Sequence, residues 1–362
     1  MSKTVLRIGF DGSRAFNQAK TGTENYSYHL LVNLAKIDHV NRYIVYLRPG
    51  SNHRTFKWPE NFQFEIINFP RLWTQVGLAL QTFKDNLDLL FIPAHAAPLI
   101  HIKGLKTVIT VHDLGAEYLP KAHQLKQRLY LKLITKFQLK NASKLIAVST
   151  ATKIDLVKKI GINPHKISIV HEGYNEKLFK PAKSDTQASS LMPYFIFVGT
   201  VQPRKNLERI IKAFALYLRG EIKLVIVGSK GWLSDEIYKL PKKLGIEDSV
   251  KFLGYVSDGD LPKLYSQAQA LVFPSLFEGF GLPILEAQAC GCPVLTSKIS
   301  SMPEVGGKGV VYVDPYSVDD IIRGMKEVSK NREKVVKAGF GNIKRFSWEK
   351  CARETLKVLE SL

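Results

Sequence analysis

The chain has 362 residues, 45% of them apolar and 23% charged, and contains no low-complexity segment. That composition excludes a disordered or fibrous protein and suits two α/β domains with full cores. Net charge is +20, from 52 Lys and Arg against 32 Asp and Glu, which favours anionic partners over acidic-surface chemistry.

Along the chain, apolar strand-sized runs alternate with helical patterns, as in a doubly wound α/β protein. The start is too short and too polar for a signal peptide and reads as a first strand over 5–10. A loop of small and polar residues (12–23) leads into a helix over 24–35 and a strand over 42–47. Further buried strands are predicted at 88–93, 107–111 and 144–148. Near Lys180 the pattern breaks, and the polar, unperiodic run to Ser190 marks a linker. A second α/β series follows, with strands at 194–198, 223–228, 250–253 and 270–273, then a pair at 293–296 and 309–313. The expected division is a first domain over 1–180, a linker over 181–193, and a second domain over 194–345. An amphipathic helix within 346–362 is expected to cross back to the first domain. No stretch approaches the length of a membrane-spanning helix.

Between Tyr118 and Ile154 the sequence holds eight Lys or Arg and no acid. Five of them, Arg128, Lys132, Lys136, Lys140 and Lys144, recur every four residues. On a helix that spacing draws a slanting cationic stripe, and Leu129, Leu131, Leu133, Ile134, Phe137 and Leu139 between them supply a packing face. Three readings fit the stripe: a solvated face, an anionic membrane surface reached by an enzyme with a lipid acceptor, or nucleic acid. The basic-aromatic pattern of a nucleic-acid binder is not seen, so nucleic acid is not expected.

Cys290, Cys292 and Cys351 are odd in number and lack metal spacing. They read as free thiols in a reducing cytoplasm, with attachment to the inner face of the membrane as an extension of the basic stripe. Asp258 and Asp260 form a D-x-D tripeptide, which helix capping explains better than a metal. No Walker A sequence, full G-x-G-x-x-G, zinc spacing or nucleophile elbow is present. No metal and no cofactor are expected.

The most informative segment is PSLFEGFGLPILEA (274–287). A strand end passes through Gly279 and Gly281 into a helix. The glycines let backbone approach a ligand, and a helix N-terminus suits a phosphate. Carboxylates at Glu278 and Glu286 suit the paired hydroxyls of a sugar, so the segment reads either as a site for a phosphorylated sugar or as an ordinary strand-loop-helix turn with two solvated charges.

The spacing of Glu278 and Glu286 resembles the E-x7-E signature of retaining, nucleotide-sugar-dependent glycosyltransferases of family four. FVGTVQPRKN (197–206), VHD (111–113) and RFSW (345–348) agree with that family in order and spacing. The match is strongest from 194 to 314. The resemblance implies two doubly wound Rossmann-like domains facing across a cleft, the GT-B arrangement, and a hexose moved from a nucleotide diphosphate sugar to an acceptor hydroxyl. It implies that Arg204 and Lys205 grip the diphosphate, Glu286 holds the ribose, and Glu278 binds hydroxyls of the transferred sugar. Gly199, Gly279, Phe280, Gly281 and Leu282 would border the donor. His112 would hydrogen-bond a sugar hydroxyl near the reacting carbon. Gly22 and Thr23 resemble the family's first glycine loop, although the family more often has paired glycines there. PRKN (203–206) is similar to bacterial mannosyl- and rhamnosyltransferases of surface polysaccharides, which places GDP-mannose ahead of UDP-sugars as donor. A lipid-linked glycan is the expected acceptor. A sugar epimerase or phosphorylase on the same fold, and a non-enzymatic basic membrane- or nucleic-acid-binding protein, are the alternatives.

Overall fold

The computed structural model describes residues 5–17, 22–54, 56–69, 71–94, 97–114, 134–182, 193–217 and 221–362. The chain divides into two compact units, Met1–Gly173 with Trp348–Leu362, and Tyr174–Ser347.

The first unit is built on strands β1 (Arg7–Asp11), β2 (Arg42–Leu47), β3 (Phe62–Ile66), β4 (Leu89–Ile92), β5 (Lys106–Val111), β6 (Lys144–Ala147) and β7 (Ile167–Ile169). They form one sheet in the order β3-β2-β1-β4-β5-β6-β7. Every pairing in it is parallel. Central strands are buried along nearly their whole length, as expected for a parallel sheet covered on both faces. The two strands that periodicity misses, β3 and β7, are the sheet's edges. There one face stays wet, and the apolar signal weakens to a short alternation, FQFEI in β3 and ISI in β7.

The second unit carries β8 (Tyr194–Val198), β9 (Lys223–Val227), β10 (Val250–Gly254), β11 (Leu271–Phe273), β12 (Val294–Ser297) and β13 (Val311–Val313). Their order is β10-β9-β8-β11-β12-β13, again all parallel. Strand order reverses at β1/β4 in the first sheet and at β8/β11 in the second. In such sheets ligands bind outside the carboxyl ends of the strands at the reversal. Gly228, with φ of 143°, lets the turns after β8 and β9 meet, since a Cβ there would lie 2.0 Å from the Gly199 carbonyl oxygen.

One expected boundary shifts. The first unit ends at Gly173, not near residue 180, because the buried Phe179 packs its ring 6.3 Å from Tyr265 of the second unit. The Ala182 N–H also donates to Ser266 Oγ at 3.0 Å. The polar run that reads as the linker lies largely outside the described residues, at 183–192. At the other end, helix Trp348–Leu359 belongs to the first unit and lies along helix Gly22–Ile37. The RFSW motif places one aromatic in each unit. Phe346 meets Phe280 edge-on at 5.8 Å, and Trp348 stacks on His29 at 5.2 Å.

The cationic stripe is only partly described. Arg128 and Lys132 lie outside the described residues. Lys136 and Lys140 sit on a helix over 134–141, but Lys144 opens β6 and leaves the helical row. Phe137, expected on the packing face, is 57% exposed, whereas Leu139 is buried. Among the described residues no helix is long and apolar enough to cross a membrane.

Candidate functional site

At the second sheet's reversal, the loop after β8 and the loop after β11 converge. Pro203–Lys205 forms a single 3-10 turn, and Asn206 follows in the left-handed region at φ 65°. Asn206 is pinned there because its side-chain amide donates to the carbonyls of Pro274 (2.9 Å) and Pro315 (2.7 Å). The turn aims Arg204 and Lys205 at Glu278. Arg204 Nη1 lies 3.0 Å from one carboxylate oxygen and Lys205 Nζ 2.5 Å from the other. Arg204 also donates to the Phe277 carbonyl at 3.1 Å. Glu278 and Lys205 are both buried. Burial opposes the charged carboxylate, but the Lys205 and Arg204 charges outweigh it and hold Glu278 below the usual carboxylate range. Two cations against one carboxylate leave this cluster with one net positive charge.

The loop that presents Glu278 is tied to the turn after β12. Ser300 Oγ donates to the Glu278 carbonyl at 2.6 Å, and Ser301 Oγ donates to the Phe280 carbonyl at 2.6 Å. Gly281, at φ 114°, ends the loop and starts helix Leu282–Ala289. Gly199 lies beside Lys205, and a Cβ there would come within 3.8 Å of its Nζ. Phe280 is buried, and its ring meets that of Phe346.

Glu286 stands on that helix with a different environment. Tyr265 donates its hydroxyl to Glu286 Oε2 at 3.1 Å. Burial, with a further push from the Asp258 carboxylate, raises the Glu286 pKa to about 7. The D-x-D pair is therefore not a simple cap. Asp260 occupies the N-cap position of helix Leu261–Gln267 without a side-chain cap bond, and accepts from Ser257 at 2.7 Å instead. Among the described residues no group of three or more His, Cys, Asp or Glu is arranged to hold a metal.

The remaining predicted residues belong to the first unit. Gly22 begins helix Gly22–Ile37, and Thr23 donates its hydroxyl to Glu24 at 3.2 Å. His112 follows β5 and is buried. Its Nδ1 lies 2.9 Å from Glu172 Oε1 and its Nε2 2.9 Å from the Pro93 carbonyl oxygen. Both nitrogens are thus engaged within the protein. Burial disfavours a charged ring, yet the Glu172 bond and charge raise its pKa above the ordinary value. Sequence reasoning misses Glu172, Tyr265, Ser300 and Ser301, because each meets its partner across at least 20 residues and leaves no periodic signal.

Two parallel-sheet α/β units with a charged constellation at the carboxyl edge of the second define a GT-B fold enzyme. The comparisons agree: residues 20–178 match glycosyltransferase family 4, and residues 180–345 match glycosyl transferases group 1. The chain is 30% identical over 270 residues to O-antigen chain mannosyltransferase B of Escherichia coli, covering 71% of each. It is 30% identical over 268 residues to an O-antigen chain mannosyltransferase of Salmonella typhimurium, covering 72% of each. Among solved structures it resembles a sucrose-phosphate synthase of Thermosynechococcus elongatus, with TM-score 0.77, 20% identity and 98% of both chains covered. It also resembles HepE of Anabaena, solved with UDP-glucose, with TM-score 0.72, 19% identity, and 99% of this chain and 100% of that one covered. The chain belongs to the group 1 glycosyltransferases of family 4 type, and it is a glycosyltransferase.

Proposed function

We propose that the protein is a retaining glycosyltransferase that moves a hexose, mannose first among candidates, from a nucleotide diphosphate sugar to a hydroxyl of a lipid-linked or surface glycan. The observation that carries this reading is the juxtaposition of the Arg204–Lys205–Glu278 cluster with Glu286 at the second sheet's reversal. A net positive cluster suits the diphosphate, and the start of helix Leu282–Ala289 shares that load. Glu286 suits the ribose hydroxyls, which would donate to it as Tyr265 already does. Glu278 would accept from hydroxyls of the transferred sugar while keeping Arg204 and Lys205 in place. In the transfer, the bond from the anomeric carbon to the phosphate oxygen breaks and the bond to the acceptor oxygen forms on the same face. The departing phosphate oxygen takes the acceptor's proton, and Arg204 and Lys205 offset the charge growing there, with no metal required. Mannose is favoured by the two O-antigen mannosyltransferase relatives, and a UDP-sugar donor by the structural neighbour solved with UDP-glucose.

The deciding experiment is thermal stabilisation by GDP, UDP, ADP and dTDP at equal concentration, in the parent and in Glu286→Ala. Saturation to about 100 times Kd adds roughly 2.7 kcal/mol. One nucleotide should raise Tm in the parent only; if none does, the donor site is wrongly placed. Incubating the matching nucleotide sugar with and without a glycan acceptor then separates transfer from epimerisation or phosphorolysis. Peripheral attachment to an anionic membrane is also proposed, since Lys136 and the exposed Lys140 flank the exposed Phe137 on the described helical stretch over 134–141. Co-sedimentation with anionic but not neutral vesicles, weakened by salt, is the expected outcome.

A further inference from the structure

Three strand ends of the first sheet meet in one buried cluster. Pro93 follows β4, His112 follows β5, and Glu172 lies just past β7. Tyr26 of helix Gly22–Ile37 meets His112 edge to face, with ring centroids 4.6 Å apart at 87°. The last helix closes over the cluster, placing Trp348 5.9 Å from Tyr26 and the buried Cys351 close enough to feel Glu172.

Hydrogen-bond chemistry fixes most of the proton inventory. A carbonyl oxygen only accepts, so the His112 nitrogen facing Pro93 carries a hydrogen. A neutral ring with that hydrogen would present a bare Nδ1 lone pair to the Glu172 carboxylate, 2.9 Å away. One more proton therefore lies on the line between Nδ1 and Oε1. Burial opposes a charged ring, but the bond and charge of Glu172 outweigh it and keep that proton on the nitrogen. The Asp113 carboxylate favours the same form, and the Pro93 carbonyl stabilises the cationic ring through its second N–H. Tyr26, itself pushed well above its ordinary pKa by burial, stays neutral, as does the buried Cys351 thiol.

We propose that Glu172 is the positioning residue of His112, holding it as the doubly protonated, positive end of a fixed buried ion pair, so that His112 serves transfer without exchanging a proton. This rests on the glycosyltransferase reading for its kinetic half and on the geometry alone for its charge state. The orientation of the ring is set by Glu172, just past β7.

The test joins a spectrum to a rate. In protein labelled with ¹⁵N-histidine, His112 is assigned by its loss in His112→Gln. Long-range ¹H–¹⁵N spectra of the parent should show both its nitrogens protonated from about pH 6 to 8, the range in which a free histidine titrates. A bare Nδ1 at neutral pH overturns the ion pair, and this readout needs no turnover. Glu172→Gln should turn His112 neutral at pH 8 with the hydrogen kept on Nε2. It should lower kcat at least about tenfold while leaving donor KM within about twofold, and kcat should recover as pH falls and the ring recharges. Unchanged kcat in Glu172→Gln overturns the positioning role. If no nucleotide sugar supports transfer in the parent, the glycosyltransferase reading fails there, and the spectra still decide the ion pair.

Discussion

The carboxyl edges of the two sheets are built from the same kind of parallel strands, yet their charges are arranged in opposite ways. In the first unit one acid meets one base, and the His112–Glu172 pair is closed on itself with both ring nitrogens occupied. In the second, Glu278 faces two cations and Glu286 faces a hydroxyl. A closed pair orders a region, while an arrangement with surplus charge is ready for a ligand that carries the opposite charge. The same lesson appears within the second edge. Glu278 and Glu286 lie on one loop and helix, but lysine and arginine pull the first pKa down while burial lifts the second to about 7.

Glu278→Gln is the harshest test of that contrast. It leaves Lys205 buried against a neutral amide, and kcat should fall about 100-fold or more. Removal of a buried pair's partner costs about 3 kcal/mol, so Tm should drop too, as calorimetry would show. Because the folded pKa of Glu278 is depressed, its stabilisation is complete above the ordinary carboxylate pKa and is lost as pH falls through the folded value.

Glu286→Ala comes next. Nucleotide affinity should weaken roughly 10–100-fold, the range for a hydrogen bond to a charged group, when read by calorimetric titration. Unlike Glu278→Gln, Glu286→Gln should leave the ligand-free Tm at pH 8 unchanged or raised, since it removes a half-buried charge held by the Tyr265 hydroxyl and by no cation among the described residues. A fall in Tm equal to that of Glu278→Gln would erase the distinction between the two carboxylates.

A smaller effect should appear on titration. The folded pKa of Glu286 is raised, so its contribution to stability is greatest below the ordinary carboxylate pKa and declines as pH rises through about 7. Ribose hydroxyls donate to the charged form, so affinity should behave oppositely. It should strengthen by up to about tenfold per pH unit below the pKa, level off above it, and lose that slope in Glu286→Gln. Kd measured at pH 6, 7 and 8 checks both signs.

The mildest change is Asp260→Ala. Its carboxylate makes no helix-cap bond and is exposed, so stability should move by less than about 0.5 kcal/mol. A larger loss in a urea melt would restore the capping role that the sequence suggests.

Much of the fold was legible because parallel strands buried on both faces read as continuous apolar runs. β2 and β8 fall at their predicted limits, and most other central strands fall within a residue or two. The edges β3 and β7 escaped because half-wet strands lose that signal. The domain boundary moved because Phe179, a single side chain, packs into the second unit ahead of the polar run. Lys144 left the cationic row because the same residue opens a strand, and period four alone does not say where a helix stops.

By itself the sequence determined the α/β class, the repetition of that class in a second domain, and the candidate residues Arg204, Lys205, Glu278 and Glu286, since glycines, strand ends and charges in a fixed local order carry that information. Only the tertiary structure decided which of them touch. Glu278 meets Arg204 and Lys205 across 74 and 73 residues, and His112 meets Glu172 across 60. Such contacts follow from the crossover order of a parallel sheet, which brings distant strand ends side by side, and a carboxylate's proton affinity follows from those neighbours. Glu278 and Glu286 are identical letters in the chain; the fold made one more acidic than a free glutamate and the other less so.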